Sequence, residues 1–149
     1  MSSLLLTMRE SIRYRGRLGQ YSWIAHRISG LGILTYLIVH VWDTANATFN
    51  PSVYDWTVTL FKHPLFGLGE IALMAALLFH AFNGIRVALL DFKPEWWEYE
   101  ETSALVVWAL FAVVFIPIAI YMLLGIINHC GEPPPWADSC WAFPPYPLP

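Results

Sequence analysis

The stretch from Leu65 to Asp91, LFGLGEIALMAALLFHAFNGIRVALLD, narrows the choice of folds more than any other part of the chain. At about 1.5 Å per helical residue it is long enough to cross a hydrocarbon core of about 30 Å. Near its middle stands His80, followed one helical turn later by Gly84, at i and i+4 on one face. A histidine at that depth is costly unless it has a ligand or a partner. The glycine beside it is expected to clear a slot in which a flat cofactor could lie against the backbone. Two readings stand on the spacing alone. His80 ligates a haem, or it hydrogen-bonds across helices while Gly84 permits close packing.

Two further apolar stretches complete an all-α membrane protein with three transmembrane helices, at about 22–42, 65–91 and 103–127. With 57% hydrophobic and 13% charged residues, a soluble domain is excluded. Tyr21 and Trp23 suit the interface at the start of the first span. Pro117 should kink the third, which a neighbouring helix can tolerate. The chain divides into a basic arm (1–20, with Leu4–Leu6 as a short interfacial helix), the three-helix domain (21–127) and a Pro/Trp-rich tail (128–149). Between the first two spans, Asn50-Pro51 signals a turn. Phe49, Tyr54, Trp56 and Phe61 suit a short helix along the headgroups. The loop 92–102, with Pro94, four glutamates and two tryptophans, reads as an interfacial turn. The tail, with Pro133–Pro135, should be extended and packed on something.

Charge sets the expected orientation. Arg9, Arg13, Arg15 and Arg17 precede the first span, and Arg27, Arg86 and Lys93 fall on the same face; Lys62 alone lies opposite. The positive-inside rule then places the N-terminus in the cytoplasm, or in the matrix for a mitochondrial inner-membrane protein, and the tail on the outer face. The arm does not read as a secretory signal; a mitochondrial presequence stays open on composition. Cys130 and Cys140 both lie in the tail, where an oxidising compartment permits either a disulfide or two free thiols. Two cysteines without paired ligands do not make a zinc site. Nothing points to nucleic acid.

The first span opens with Ser22, Trp23, His26, Arg27, Ser29 and Gly30. His26 and Arg27 can hydrogen-bond a carboxylate, such as a haem propionate, or a quinone carbonyl; Ser22 and the Trp23 indole add neutral donors. Arg27 gripping lipid phosphate is the competing reading. His40 would face within roughly 40° of His26, about 21 Å further along the helix. That could suit a second haem, but His63 makes a poorly matched partner; a hydrogen-bonded end formed by His40 and Asp43 is the simpler expectation. Glu70 is expected to pair near its own end, and Arg86 with Asp91 to form an electrostatic anchor at the other.

Two of these segments resemble known motifs. His26-Arg27-Ile28-Ser29-Gly30 resembles the HRxTG/HRxSG motif of the large membrane-anchor, or cytochrome b, subunit of succinate dehydrogenase. His80-Ala81-Phe82-Asn83-Gly84-Ile85-Arg86, followed by Asp91-Phe92, resembles the HxxxGxR…D signature of that family. Order, spacing and three spans agree from Tyr21 to Ile127. The pattern is similar to actinobacterial-type anchors, with SWxxHRxxG, HVxD and HAxNGIR; the tail beyond Ile127 matches nothing in it.

The resemblance implies a subunit of succinate:quinone oxidoreductase in the bacterial cytoplasmic membrane. It would bind haem b with a second anchor subunit, and His80 matches the axial ligand to the iron. His26 and Arg27 match positions near the propionates, with Gly84 beside the ligand. Arg27 also matches a quinone-site residue. The family often has a serine three residues before the motif histidine; here Trp23 holds that position and Ser22 precedes it, so both are candidates for the quinone. Flavoprotein and iron–sulfur subunits are the implied partners, since this chain has no dinucleotide fingerprint and too few cysteines to hold clusters. It therefore contributes to a quinone site and is not catalytic alone. A fumarate reductase anchor and a haem-free structural anchor remain alternatives. Menaquinone or ubiquinone, and a trimer of complexes, are left open.

Overall fold

The computed structural model describes residues 18–131 and 138–146. Residues 1–17 of the basic arm, Leu4–Leu6 among them, and Pro133–Pro135 lie outside the described residues; residues 18–20, expected in the arm, open the first helix. The elements are α1 (Leu18–Phe49), α2 (Pro51–Phe61), α3 (Pro64–Phe92), a 3₁₀ helix (Pro94–Tyr99) and α4 (Glu100–Gly131). Three helices are long and apolar enough to cross a membrane, with mean hydropathies of 1.4, 1.9 and 2.8 over their most apolar windows. α1 and α4 outrun the expected spans by several residues, because interfacial residues continue the helix beyond the apolar core, while α3 adds one residue at each end.

Helix boundaries follow local chemistry. Pro51 and Pro64 each stand in the first turn of a helix, where a missing N–H costs nothing. His63 caps α3, its ring accepting a hydrogen bond from the Leu65 N–H at 3.2 Å. Glu100 and Glu101 open α4, favourably placed for the helix dipole. Inside the spans the hydroxyls of Thr35 and Thr44 turn back to the carbonyls of Leu31 and His40, which keeps them satisfied where water is scarce. Pro117 lies within α4, which continues through it as one element.

Packing inverts the pattern of a water-soluble protein. Leu31, Leu34, Ile38, Val41, Val113, Ile116 and Ile120 are exposed, while Ser22, Ser29, Asn83 and Arg86 are buried. Apolar side chains face the lipid and the few polar groups face one another. α3 lies in contact with both α1 and α4. Phe79 of α3 meets Trp108 and Phe111 of α4, with ring centroids 4.7 and 5.7 Å apart. Gly67 leaves room for Ile126 where α3 begins.

The tail is fastened. A disulfide joins Cys130 and Cys140, which decides between the two readings of those cysteines. It returns residues 138–146 over the start of α3. There the Trp56 indole donates to the Pro144 carbonyl at 3.2 Å and meets the Tyr146 ring edge-on.

Candidate functional site

α1 and α3 run antiparallel and cross at two histidines. The rings of His26 and His80 stack with centroids 3.9 Å apart and planes 7° from parallel. Gly30 and Gly84 make the approach possible, and they do so reciprocally. A Cβ on Gly30 would lie 3.0 Å from His80 Cε1, and one on Gly84 would lie 3.5 Å from His26 Cε1. Each helix carries His-x-x-x-Gly, and each histidine lies over the other helix's glycine. The slot at Gly84 therefore faces His26 and not His80, as the i, i+4 argument had it. Helical side chains lean towards the N-terminus, so His80 leans away from Gly84 and leaves that backbone to the ring from α1.

The nitrogens of the pair are unequally used. Both hydrogen bonds of His80 fall on Nδ1, with the His26 carbonyl at 3.1 Å and Ser29 Oγ at 3.2 Å. Among the described residues Nε2 has none. His26 Nδ1 is buried without a hydrogen-bond partner. Both rings are half-buried.

Around this crossing the other expected residues are spread over two flanks. Ser22 is fully buried and accepts a hydrogen bond from the Trp108 indole at 3.1 Å, which joins α1 to α4. Trp23 and Arg27 lie exposed, the guanidinium carbon 4.0 Å from the centroid of the indole ring. They form one cationic, aromatic surface a turn from His26, and Ser22 is not brought to it.

Arg86 belongs to an internal network. Its Nε donates to Ser103 Oγ at 2.9 Å, Nη2 to the Glu100 carbonyl at 2.9 Å and Nη1 to Asn83 Oδ1 at 3.3 Å. The expected pairing with Asp91 is replaced by bonds to the start of α4, because five fixed N–H donors find more acceptors inside the bundle than one carboxylate at its rim supplies. Asn83, 2% exposed, is the residue the sequence reading passed over; its place one turn before Arg86 was the available signal.

At the opposite end, His40 bonds the Tyr36 hydroxyl at 3.3 Å on the exposed face, while Asp43 is buried with Oδ1 unpartnered. The expected His40–Asp43 bond is absent: the His40 ring turns to Tyr36 on the exposed face, while the Asp43 carboxylate is buried. Glu70 lines an open groove of about 410 Å³ with Lys62, His63 and His129. No cluster of three or more His, Cys, Asp or Glu that could hold a bare metal ion occurs among the described residues.

A bundle of three apolar helices with a stacked, half-buried histidine pair and a buried arginine network defines a multi-pass membrane anchor. Residues 8–120 match the succinate dehydrogenase/fumarate reductase transmembrane subunit family, and the chain belongs to it. It is 39% identical over 116 residues to the succinate dehydrogenase 2 membrane subunit of Mycobacterium tuberculosis, covering 78% of this chain and 85% of that one. Over 105 residues it is 30% identical to the succinate dehydrogenase hydrophobic membrane anchor subunit of Archaeoglobus fulgidus, covering 70% and 88% of the two chains. A Halobacterium salinarum anchor subunit is 30% identical over 74 residues, 49% of this chain and 57% of that one. Membership and the three apolar helices agree with a multi-pass protein of the bacterial cytoplasmic membrane.

Proposed function

We propose that this succinate dehydrogenase anchor binds haem b together with a second anchor subunit, and contributes one wall of the site where quinone receives electrons from the iron–sulfur subunit. The observation that carries the reading is His80, which among the described residues has both hydrogen bonds on Nδ1 and none on Nε2, at a crossing kept narrow by two glycines. The donor set fits. An iron held by a macrocycle needs only one imidazole from this chain, and Nε2 of His80, without a hydrogen bond among the described residues, can supply it. The unpartnered Nδ1 of His26 offers a hydrogen bond beside it, suited to a propionate. When bound, haem supplies a one-electron store close to the quinone.

This chain's own residues bind and orient. Arg27, supported on Trp23, offers its planar donor fork to a quinone carbonyl, whose oxygen gains negative charge on reduction. Ser22 holds α4 against α1 behind them through Trp108. Asn83 and Arg86 tie α3 to α4 at the same end, so this wall of the site is rigid. The basic arm puts this end on the cytoplasmic side, and the disulfide-fastened tail on the outer side. The direction of electron flow is set by the potentials of the quinone and partner subunits, so a fumarate reductase would use the same wall.

The test is a reduced-minus-oxidised spectrum with haem quantification on the purified complex. A b-type band with haem bound to the membrane subunits is expected. A complex that reduces quinone yet contains no haem would overturn the haem reading and leave the haem-free structural anchor.

A further inference from the structure

We infer that Ser29, with the His26 carbonyl, is a positioning residue that fixes the tautomer of His80 and aims Nε2 at the iron; the inference rests on the haem reading above. Hydrogen-bond bookkeeping carries it. The Ser29 hydroxyl donates its one proton to the His26 carbonyl three residues back, at 2.9 Å. Its oxygen therefore faces His80 Nδ1 with a lone pair, at 3.2 Å. The second neighbour of Nδ1 is the His26 carbonyl oxygen, at 3.1 Å, which can only accept. Two acceptors at one ring nitrogen require that nitrogen to carry the proton. Nδ1–H is then shared between them, and in the neutral ring the lone pair lies on Nε2.

The arrangement depends on Ser29 being three residues after His26 on α1. A hydroxyl at that position can bend back to the i−3 carbonyl while its oxygen projects towards α3. Ser29 is itself buried at 7% exposure, so water does not compete for Nδ1 from its side. Gly30 completes the cradle, because any side chain there would press on the His80 ring. One turn of α1 thus supplies the acceptor pair and the clearance, and α3 supplies the ligand.

Such an acceptor pair does more than hold a ring. It draws the Nδ1 proton outward and makes Nε2 more electron-rich, which favours the oxidised, more positive iron and lowers its potential. Removing the hydroxyl leaves the carbonyl alone. The expectation for Ser29→Ala is a raised haem midpoint potential, by up to about tenfold in the reduced-to-oxidised ratio at fixed potential, ~59 mV for a one-electron couple. Haem affinity should fall on the order of tenfold.

The discriminating pair is Ser29→Thr against Ser29→Val in the purified complex. The two side chains are equal in shape and differ in the hydroxyl. Potentiometric titration of the b-type band should return the wild-type potential for Ser29→Thr and a raised one for Ser29→Val and Ser29→Ala. Equal potentials in the Thr and Val variants, or a Ser29→Ala potential equal to wild type, would overturn the inference while leaving the haem reading intact. Full haem content in His80→Leu would instead remove the reading on which it rests.

Discussion

Two histidines in this molecule look alike until their nitrogens are counted. His80 stacks on His26 with ring centroids 3.9 Å apart, and His63 stacks on Phe143 at 4.2 Å with planes 9° from parallel. His63 uses both nitrogens: Nδ1 accepts from the Leu65 N–H, and Nε2 meets the Trp141 carbonyl at 3.2 Å. Its capacity is spent on beginning α3 and holding the tail. Among the described residues His80 spends only Nδ1. Stacking describes both rings, His63 buried and His80 half-buried, so stacking does not separate a fastening from a ligand. The unused lone pair does.

The same contrast divides the two ends of the bundle. At the Arg86 end, polar groups are drawn inward and leave an exposed cationic surface at Arg27. At the His63 end, an aromatic tail and a disulfide close over the helix start. Changes at the first end should therefore act on electron transfer, and changes at the second on stability.

The largest expected effect is at Arg27. Arg27→Ala should lower succinate-driven quinone reduction by about a hundredfold, the usual cost of losing a donor to developing negative charge, with Arg27→Lys intermediate. Succinate oxidation with a soluble artificial acceptor should stay near normal in both. Quinone reduction at the wild-type rate in Arg27→Ala would make Arg27 a lipid anchor. Next comes Arg86→Ala, which strands Asn83 Oδ1 and the α4 acceptors inside the bundle. A loss of about 3 kcal/mol in the stability of the detergent-solubilised complex is expected, read by thermal denaturation.

At the opposite end the numbers are smaller. Replacing both Cys130 and Cys140 by serine opens a loop with a sequence separation of 10, worth about 2.7 kcal/mol on the chain-entropy account. Limited proteolysis should then cut the tail while quinone reduction persists. His63→Ala should cost ~1 kcal/mol, the typical worth of a helix cap, again without touching electron transfer. A loss of quinone reduction in either variant would break the division between the ends.

Much of this was legible in the residues. Apolar runs give three spans because length and hydropathy suffice, and the two motifs bring His26 and His80 into one region. The reciprocal cradle was harder to see. His-x-x-x-Gly is visible twice, but which glycine lies under which ring depends on the lean of helical side chains and on an antiparallel crossing. Arg86 illustrates a different limit. Sequence neighbours suggest Asp91, whereas its acceptors sit on α4 and depend on how two helices pack. His63 reads from sequence as an ill-matched haem ligand; only the tail folding back through the disulfide fills its second nitrogen.

The most direct measurement is the reduced-minus-oxidised spectrum of the purified complex carrying His80→Leu beside one carrying His63→Leu. Both replacements are apolar, so the helices still insert. The b-type band should vanish in His80→Leu and persist in His63→Leu at the wild-type position and intensity. A band unchanged in His80→Leu, or lost only in His63→Leu, would contradict the assignment of the open Nε2 as the ligand.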